Sequence, residues 1–321
     1  MHRGTRVGMR GPESSVHGGE IADRPPPILK RIIIHRPLRW LWRGLALLAV
    51  VLALAVLNNN YSLRHQSRAA FDTQLDGALD QATKWISDNR AISERNPTIM
   101  YMVADMESMS HEPRLKALLD DYQKNFLIHP KVLFDLVWFR LVNPKAEVLI
   151  VHVPDLRDQV IDYVWFGHAL APDKILLSDT DCTNMFSPTK YSWGRRQKQL
   201  LAVAMYRNFN GSSPELDNTI NYLAEKVARD AHYDFRVSDS YIQRAAFILA
   251  ARRPDLVRPR WLGRILDYQN PDGSWNYCWH GWCRGILEFG VYNPGHATVQ
   301  AAWALTMIKY RYPRWVEEHY R

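Results

Sequence analysis

The sequence predicts an all-α protein in which two layers of helices follow one membrane-spanning helix. Three observations support this prediction. Residues 44–57 form an uncharged apolar run, which is typical of a membrane span. From residue 96 onward, apolar residues recur at helical spacing between proline breaks. Some of these helices are apolar on one face and others on nearly every side, which indicates an outer layer and a buried inner layer.

The N-terminal segment 1–39 reads as a disordered basic tail, because it is rich in Gly, Arg and Pro and cannot bury a core. Residues 1–43 carry nine Lys and Arg against three acids, which leaves a charge of only +2 on the remainder of a chain whose net charge is +8. The remainder is nearly balanced, so the basic pI does not indicate nucleic-acid binding.

The apolar run, extended to residues 40–57, predicts a single transmembrane helix with Trp40 and Trp42 at the interface. The alternative is a cleaved signal peptide, but the preceding segment is long and NNNYS, which follows the run, lacks a small-residue cleavage site. The basic residues before the span place the N-terminus in the cytoplasm. The prediction is a single-pass protein of the inner membrane with a periplasmic domain.

Residues 58–95 read as a helical stalk, and residues 96–321 as the domain. The predicted domain helices cover 97–109, 114–127, 130–142, 155–170, 191–208, 214–230, 238–252, 258–269 and 296–310. The apolar run 148–153 has the composition of a strand but no evident partner in the sequence.

The turn between the last two predicted helices carries the most specific pattern. Gln269, Gly273 and Trp275 in QNPDGSW, followed by the apolar GHATVQAAWAL, resemble the Q-x3-G-x-W motif and inner helix of the terpene-cyclase and protein-prenyltransferase superfamily. The resemblance implies an α/α toroid, a ring of helix hairpins whose inner helices line a cavity. It also implies that the Gln and Trp tie an outer helix to its neighbour.

Parallel inner helices would bring their preceding loops to one rim of such a ring. The loop before residue 191 contains Asp179 and Asp181, and it resembles the D-x-D-D acid motif of class II terpene cyclases, with Cys182 in place of the last Asp. The resemblance implies a catalytic acid at this pair. The alternative is a cluster that caps a local turn, since Asp and Ser side chains bond nearby backbone groups.

His296, at the start of the last inner helix, is the third candidate catalytic residue. Protein prenyltransferases hold zinc through Asp, Cys and a His that opens an inner helix, so the resemblance implies Asp181, Cys182 and His296 as a zinc site. A His at a helix start also serves as a cap or as a hydrogen-bonded core residue. Cys278 and Cys283 admit three interpretations: a disulfide in an oxidising periplasm, metal ligation, or packing.

Aromatic residues crowd the same predicted rim and predict stacking on a sugar or on a carbocation, with packing as the alternative. Arg195 is the candidate clamp for a phosphate. The candidate substrate-binding residues are Trp193, Arg195, Trp275, Tyr277, Trp279 and Trp282.

The sequence contains none of the motifs of nucleotide-binding, dinucleotide-binding or serine-hydrolase proteins. The expected function is an anchored enzyme acting on an isoprenoid, lipid-linked or glycan substrate through rim acids and zinc. Two alternatives stay open, namely a non-catalytic module that binds a lipid, glycan or peptide, and a structural subunit of a membrane complex.

Overall fold

The computed structural model describes residues 29–61, 66–90, 96–128, 133–143, 145–152, 160–191, 193–276 and 294–320. For residues 29–37, 133–135 and 193 it describes the backbone alone. The chain divides into two compact units, Met1–Val51 and Leu52–Arg321. The candidate sites all lie in the second unit.

Twelve α-helices and one pair of short strands lie in the described residues. The helices are α1 Leu29–Asn60, α2 Arg68–Asp88, α3 Pro97–Ser110, α4 Pro113–Tyr122, α5 Ile161–Leu170, α6 Asp179–Phe186, α7 Trp193–Asn210, α8 Pro214–Tyr233, α9 Asp239–Ala250, α10 Pro259–Asp267, α11 Pro294–Thr306 and α12 Pro313–His319. Tighter or wider helical turns cover Gln123–Leu127, Leu133–Leu141, Pro254–Leu256 and Met307–Arg311. The strands are β1 Val151–His152 and β2 Ile175–Leu176.

The helical fold class is confirmed, and each of the nine predicted domain helices overlaps an observed one. Two short helices were missed: α6, whose sequence reads as a loop, and α12. The apolar run 148–153 does have a strand partner, because Val151 and His152 pair in parallel with Ile175 and Leu176. That partner lies beyond α5, and local pattern does not reveal so distant a pairing.

The first helix begins earlier than predicted. Residues 29–39 belong to α1, so the prediction of a disordered tail was wrong for them, and residues 1–28 lie outside the described residues. The stretch Leu38–Asn60 is long and apolar enough to cross a membrane. Its large apolar side chains from Leu38 to Leu54 are exposed, as lipid-facing side chains are.

The last turn of α1 is polar and buried in the second unit. The Asn59 amide donates to the carbonyl of Ala231 at 3.0 Å, and its oxygen accepts from Tyr241 Oη at 3.0 Å and Arg264 Nη1 at 2.6 Å. Asn60 donates to the His232 carbonyl at 2.8 Å. These bonds satisfy carbonyls at the end of α8, which a helix leaves without internal partners.

The segment predicted as a stalk packs into the domain. The apolar face of α2, which includes Phe71, Leu75 and Ile86, is buried, and α2 packs against α4, α10 and α11. Residues 68–88 are therefore part of the compact unit Leu52–Arg321. The amphipathic spacing was recognised from the sequence, but the partner of its apolar face was not.

Helices α5, α7, α9 and α11 run in the same direction, because their first turns meet at one end and their last turns at the other. At the first end, Asp239 Oδ1 lies 2.6 Å from His296 Nδ1, and Gln197 bonds Gln243. At the other end, Tyr312 donates to the Leu249 carbonyl at 2.7 Å. Bonds from Arg207 to the Ala251 carbonyl and from Asn210 to the Ala169 carbonyl complete that end. Helix α8 runs the opposite way, since Arg196 reaches Asp230 and Arg207 reaches Asp217.

The QNPDGSW turn joins three helices. Gln269 Nε2 donates to the Ala78 carbonyl of α2 at 2.9 Å and to the Gly273 carbonyl at 3.1 Å. Trp275 is 1% exposed, and its indole donates to the Ile265 carbonyl of α10 at 2.7 Å. Its backbone N–H donates to Thr298 Oγ1 of α11 at 2.9 Å. The expected tie between neighbouring helices is present here.

Gly273 cannot be replaced without moving this turn. It has φ +89°, and an added Cβ would lie 2.5 Å from the Gln81 backbone oxygen. We expect Gly273→Ala to lower the free energy of unfolding by clearly more than the roughly 1 kcal/mol typical of strain at positive φ. Chemical denaturation of the purified protein measures this. Gly211→Ala is the matched control, with φ +94° but no atom within 4 Å of its Cβ. Equal losses in the two variants would contradict the close contact at Gln81.

Candidate functional site

Polar side chains converge where the parallel helices begin. We call this group the polar rim, and it lies inside the second unit. Its members are Asp162 of α5, Gln197 and Lys198 of α7, Asp239 and Gln243 of α9, and His296 and Gln300 of α11. Since each helix presents its first N–H groups and positive dipole end there, the rim favours negative or hydrogen-bond-accepting groups.

A chain of three side chains crosses from α9 to α11. His296 Nδ1 lies 2.6 Å from Asp239 Oδ1, and His296 Nε2 lies 2.9 Å from Gln300 Nε2. An imidazole that donates from Nδ1 to the carboxylate and accepts at Nε2 satisfies both contacts. Asp239 is 7% exposed, so this carboxylate orients the ring from inside the protein, as in acid–base dyads.

Asp162 and Lys198 are the perturbed titratable groups of the rim. Burial raises the pKa of the Asp162 carboxyl, against the opposing charges of Lys198 and Arg195. Burial lowers the pKa of the Lys198 amine, although Asp239 and Asp162 favour its charged form. Burial thus shifts both pKa values toward the neutral form of the group, and such perturbed groups are common at sites of acid–base chemistry.

Three buried amides of the rim have an atom without a hydrogen-bond partner among the described residues. Gln197, Gln243 and Gln300 are 3%, 1% and 0% exposed. Gln197 bonds Gln243, yet Gln197 Oε1, Gln243 Nε2 and Gln300 Oε1 remain unpaired in the part of the chain that the structure describes. Asp162 Oδ1 is also buried without a hydrogen-bond partner among the described residues. Unpaired buried polar atoms are costly and rare, and hydroxyl groups of a ligand would complement both the donors and the acceptors.

Asp179 and Asp181 lie in the first turn of α6. Ser178 Oγ accepts from the Asp181 N–H at 3.1 Å and donates to Asp181 Oδ2 at 2.6 Å, which is the local capping alternative. Asp179 and Cys182 are exposed. The charges of Asp181 and Asp162 both act on the Tyr191 hydroxyl, whose pKa is raised chiefly by burial. Asp181 is thus near the rim, although its own contacts are those of a helix cap.

No metal-binding group is found around Asp181, Cys182 and His296 in the described residues, and the zinc site stays a prediction. Among the described residues, which include all three, no group of three or more His, Cys, Asp and Glu side chains could hold a metal ion. His296 also has both ring nitrogens in hydrogen bonds. The two other cysteines, Cys278 and Cys283, lie outside the described residues, so their disulfide and metal interpretations remain predictions.

The predicted substrate-binding residues have three outcomes. Trp275 is buried in the hairpin, and its indole is bonded to the Ile265 carbonyl, so its described contacts are structural. Arg195 does lie at the rim, with Nε 3.8 Å from Asp162 Oδ1 and its guanidinium over the Tyr191 ring. Tyr277, Trp279 and Trp282 lie outside the described residues, as does the side chain of Trp193.

Sequence reasoning found His296 but missed the residues around it. Asp239 follows Ser238 at a helix start and resembles a capping acid, while Asp162 lies in the first turn of α5, inside the predicted helix 155–170. The available signal was the polar residues on helices that are otherwise buried, namely Lys198, Gln197, Gln243 and Gln300. A buried polar group needs a partner, so these positions would have indicated an interior site.

Comparison with protein-family models, with curated proteins and with solved structures finds no match to this chain. The candidate site therefore rests on its own geometry.

The Lys198 amine should destabilise the fold at neutral pH. Its pKa is lowered in the folded state, so the folded protein is penalised while the amine is charged, and the penalty fades as pH rises toward the ordinary value of 10.5. We expect Lys198→Met to raise the melting temperature at pH 7 by a few degrees, with an advantage that shrinks toward alkaline pH. Lys84→Met, at an exposed lysine, is the control and should change little. A lower melting temperature for Lys198→Met would show that its ion pairs outweigh its burial.

Proposed function

We propose that the protein is a membrane-anchored α/α toroid enzyme that acts by general acid–base catalysis on a hydroxyl-rich substrate, a glycan or a glycan-bearing lipid. The observations that carry this proposal are the buried Asp162 carboxyl, the buried Lys198 amine and the Asp239–His296 pair, which lie together with unpaired buried amides. Asp162 would donate a proton, and Asp239 with His296 would accept one.

The toroid part of the proposal rests on helix direction. Helices α5, α7, α9 and α11 run parallel, α8 runs against them, and the QNPDGSW turn links α2, α10 and α11. An inner ring of parallel helices with outer helices returning between them has these relations. The resemblance of Gln269, Gly273 and Trp275 to the toroid superfamily motif points the same way.

The rim favours a glycan over a bare isoprenoid chain. Its described side chains are carboxylates, amides, an imidazole and an amine, whereas carbocation chemistry needs a cavity lined by aromatic faces. The zinc expectation, at Asp181, Cys182 and His296 or in the cysteine-bearing loop around Cys278 and Cys283, stays a prediction. A non-catalytic glycan-binding module is the second candidate, and the unpaired amides favour it equally, since they serve binding whether or not turnover follows.

The test of catalysis uses the full chain in detergent with a panel of 4-nitrophenyl α- and β-glycosides. We expect release of nitrophenolate from at least one of them. Asp162→Asn and Asp239→Asn should each lower kcat by about 100-fold or more, the usual contribution of a positioned acid or base. Glu215→Gln, which removes an exposed first-turn acid of α8, should leave kcat unchanged.

Three outcomes separate the candidates. Turnover that survives both rim substitutions would contradict the assignment of the acids. If Asp181→Asn loses turnover while Asp162→Asn and Asp239→Asn stay active, the catalytic acid is Asp181 of α6. Glycan binding by calorimetry without turnover of any glycoside would favour the binding module.

The anchor is the third part of the proposal. We propose that Leu38–Asn60 spans the inner membrane once, with the N-terminus in the cytoplasm and the domain in the periplasm. Asn59 and Asn60 are buried in the domain, so cleavage near residue 60 would remove side chains that the fold uses, which supports an anchor over a signal peptide. A partner subunit in the membrane remains an alternative role for the apolar helix.

A reporter fusion tests this topology. Alkaline phosphatase fused after Arg321 should be active, because it folds only when exported, and a β-galactosidase fusion at the same point should be inactive. The opposite pair of activities would place the domain in the cytoplasm and lower the expectation of a Cys278–Cys283 disulfide.

A further inference from the structure

A cavity of about 470 Å³ lies at the opposite end of the parallel helices from the polar rim. Its position follows from its lining, which comes from α3, from the last turn of α7 and from the residues that follow α9 and α11. The lining residues are Tyr101, Asp105, Asn208, Phe209, Arg252, Arg311 and Tyr312. The volume is within the range of small-molecule sites. We call it the arginine cavity.

The charges of the arginine cavity do not cancel. Asp105 is fully engaged, because its Oδ1 accepts from Arg311 at 2.7 Å and its Oδ2 accepts from the Trp303 indole at 2.7 Å. This pair neutralises Arg311. The guanidinium of Arg252 has no hydrogen-bond or ion-pair partner among the described residues, so the lining carries one unbalanced positive charge.

Arg207 is a second guanidinium whose charge acts on Arg252, and it is paired with Asp217. Burial lowers the pKa of the Arg207 guanidinium, and the neighbouring charge of Arg252 lowers it further. Its Nη2 donates to the Ala251 carbonyl, and its Nη1 lies 3.7 Å from the Asp217 carboxylate, which is partly exposed. Asp217 balances the charge of Arg207, so the unbalanced positive charge at this end of the helices is that of Arg252.

The backbone holds Arg252 in an unfavourable conformation. Arg252 follows α9 with φ +64°, in the left-handed region where glycine is usual after a helix. The next residue, Arg253, is paired with Asp255 and Asn221, whereas Arg252 is exposed and free of such partners in the described structure. A strained arginine at the edge of a cavity suggests a role that glycine could not fill.

The other lining residues indicate what kind of ligand the arginine cavity would accept. Phe209, Tyr101 and Tyr312 supply aromatic faces. The Tyr312 hydroxyl already donates to the Leu249 carbonyl at 2.7 Å, and burial raises the pKa of Tyr101 so that it keeps its proton. An arginine beside aromatic side chains matches an oxyanion attached to an apolar or aromatic group.

We propose that the arginine cavity is a binding site for a small organic anion, a carboxylate or phosphate monoester on an aromatic body, held by Arg252. The site lies about 18 Å from the polar rim, the length of the 12-residue helix α9 at about 1.5 Å per residue. It does not depend on the proposed enzyme activity.

The competing explanation is purely structural. Cations at helix C-termini complement the negative end of the dipole, and Arg252 could do only this. The two roles differ in what substitution changes. A dipole role predicts that substitution lowers stability without changing ligand binding, whereas a ligand role predicts that it weakens ligand binding.

The test uses the full chain in detergent with three probes: benzoate, phenyl phosphate and the neutral benzyl alcohol. Titration calorimetry should detect benzoate or phenyl phosphate but not benzyl alcohol. Arg252→Gln should weaken binding of the anionic probe by about tenfold or more, the effect expected when one charge-assisted contact is lost. Arg314→Gln, at an exposed arginine three residues beyond Arg311, is the control and should bind as the wild type does.

Arg252→Gly separates the ligand role from stability. It should raise the melting temperature, because glycine adopts a positive φ without strain. It should also abolish binding of the anionic probe, because the guanidinium is removed. The proposal is overturned if Arg252→Gln and Arg252→Gly bind the anions as the wild type does, if benzyl alcohol binds as well as benzoate, or if neither anion binds at millimolar concentration.

Discussion

Burial of α11 on every side is the constraint on which the rest of the structure depends. Its residues from Ala297 to Leu305 are buried, Trp303 completely so. Helices α2, α3 and α9 pack around it, and each supplies apolar surface that would otherwise face water. Burial on this scale is the dominant favourable term in folding. The helix before it is joined to α11 by Trp275, whose N–H bonds Thr298.

An apolar centre confines polar chemistry to the two ends of the helices. Polar groups in the middle of α11 would need buried partners, and Trp303 has one in Asp105. His296 and Gln300 lie in the first two turns, and Arg311 and Tyr312 lie beyond the last. The polar rim and the arginine cavity are therefore two ends of one set of parallel helices. Their charge differs, with acids and amides at one end and guanidinium groups at the other.

The last residues of the apolar helix α1 make hydrogen bonds inside the second unit. Asn59 and Asn60 are among the most buried polar side chains of the described domain. Asn59 accepts from Tyr241 of α9 and from Arg264 of α10. Tyr241 is two residues from Asp239 of the rim. The start of α9 therefore contacts the end of α1 through Tyr241 and contributes Asp239 to the polar rim.

The choice of site residues separates local signals from tertiary ones. The pair Asp179 and Asp181 drew attention because the two acids are close in sequence, and the structure finds them in a capped helical turn. His296 was chosen for its place at a helix start, which is correct, but its partner Asp239 lies 57 positions away. Short sequence motifs reflect contacts between residues that are close in the chain. The polar rim is assembled from four helices that are far apart in the chain, so its residues form no short motif.

The sequence by itself determined the helical class, the apolar N-terminal helix, the bounds of the main helices and the QNPDGSW turn. These features depend on residue spacing, proline and glycine conformations, and apolar periodicity, all of which act within a few residues. Only the tertiary structure decided that α2 belongs to the domain, that β1 pairs with β2, and which polar side chains meet. Those outcomes depend on contacts between residues far apart in the chain, where each group's partner is set by the packing of whole helices.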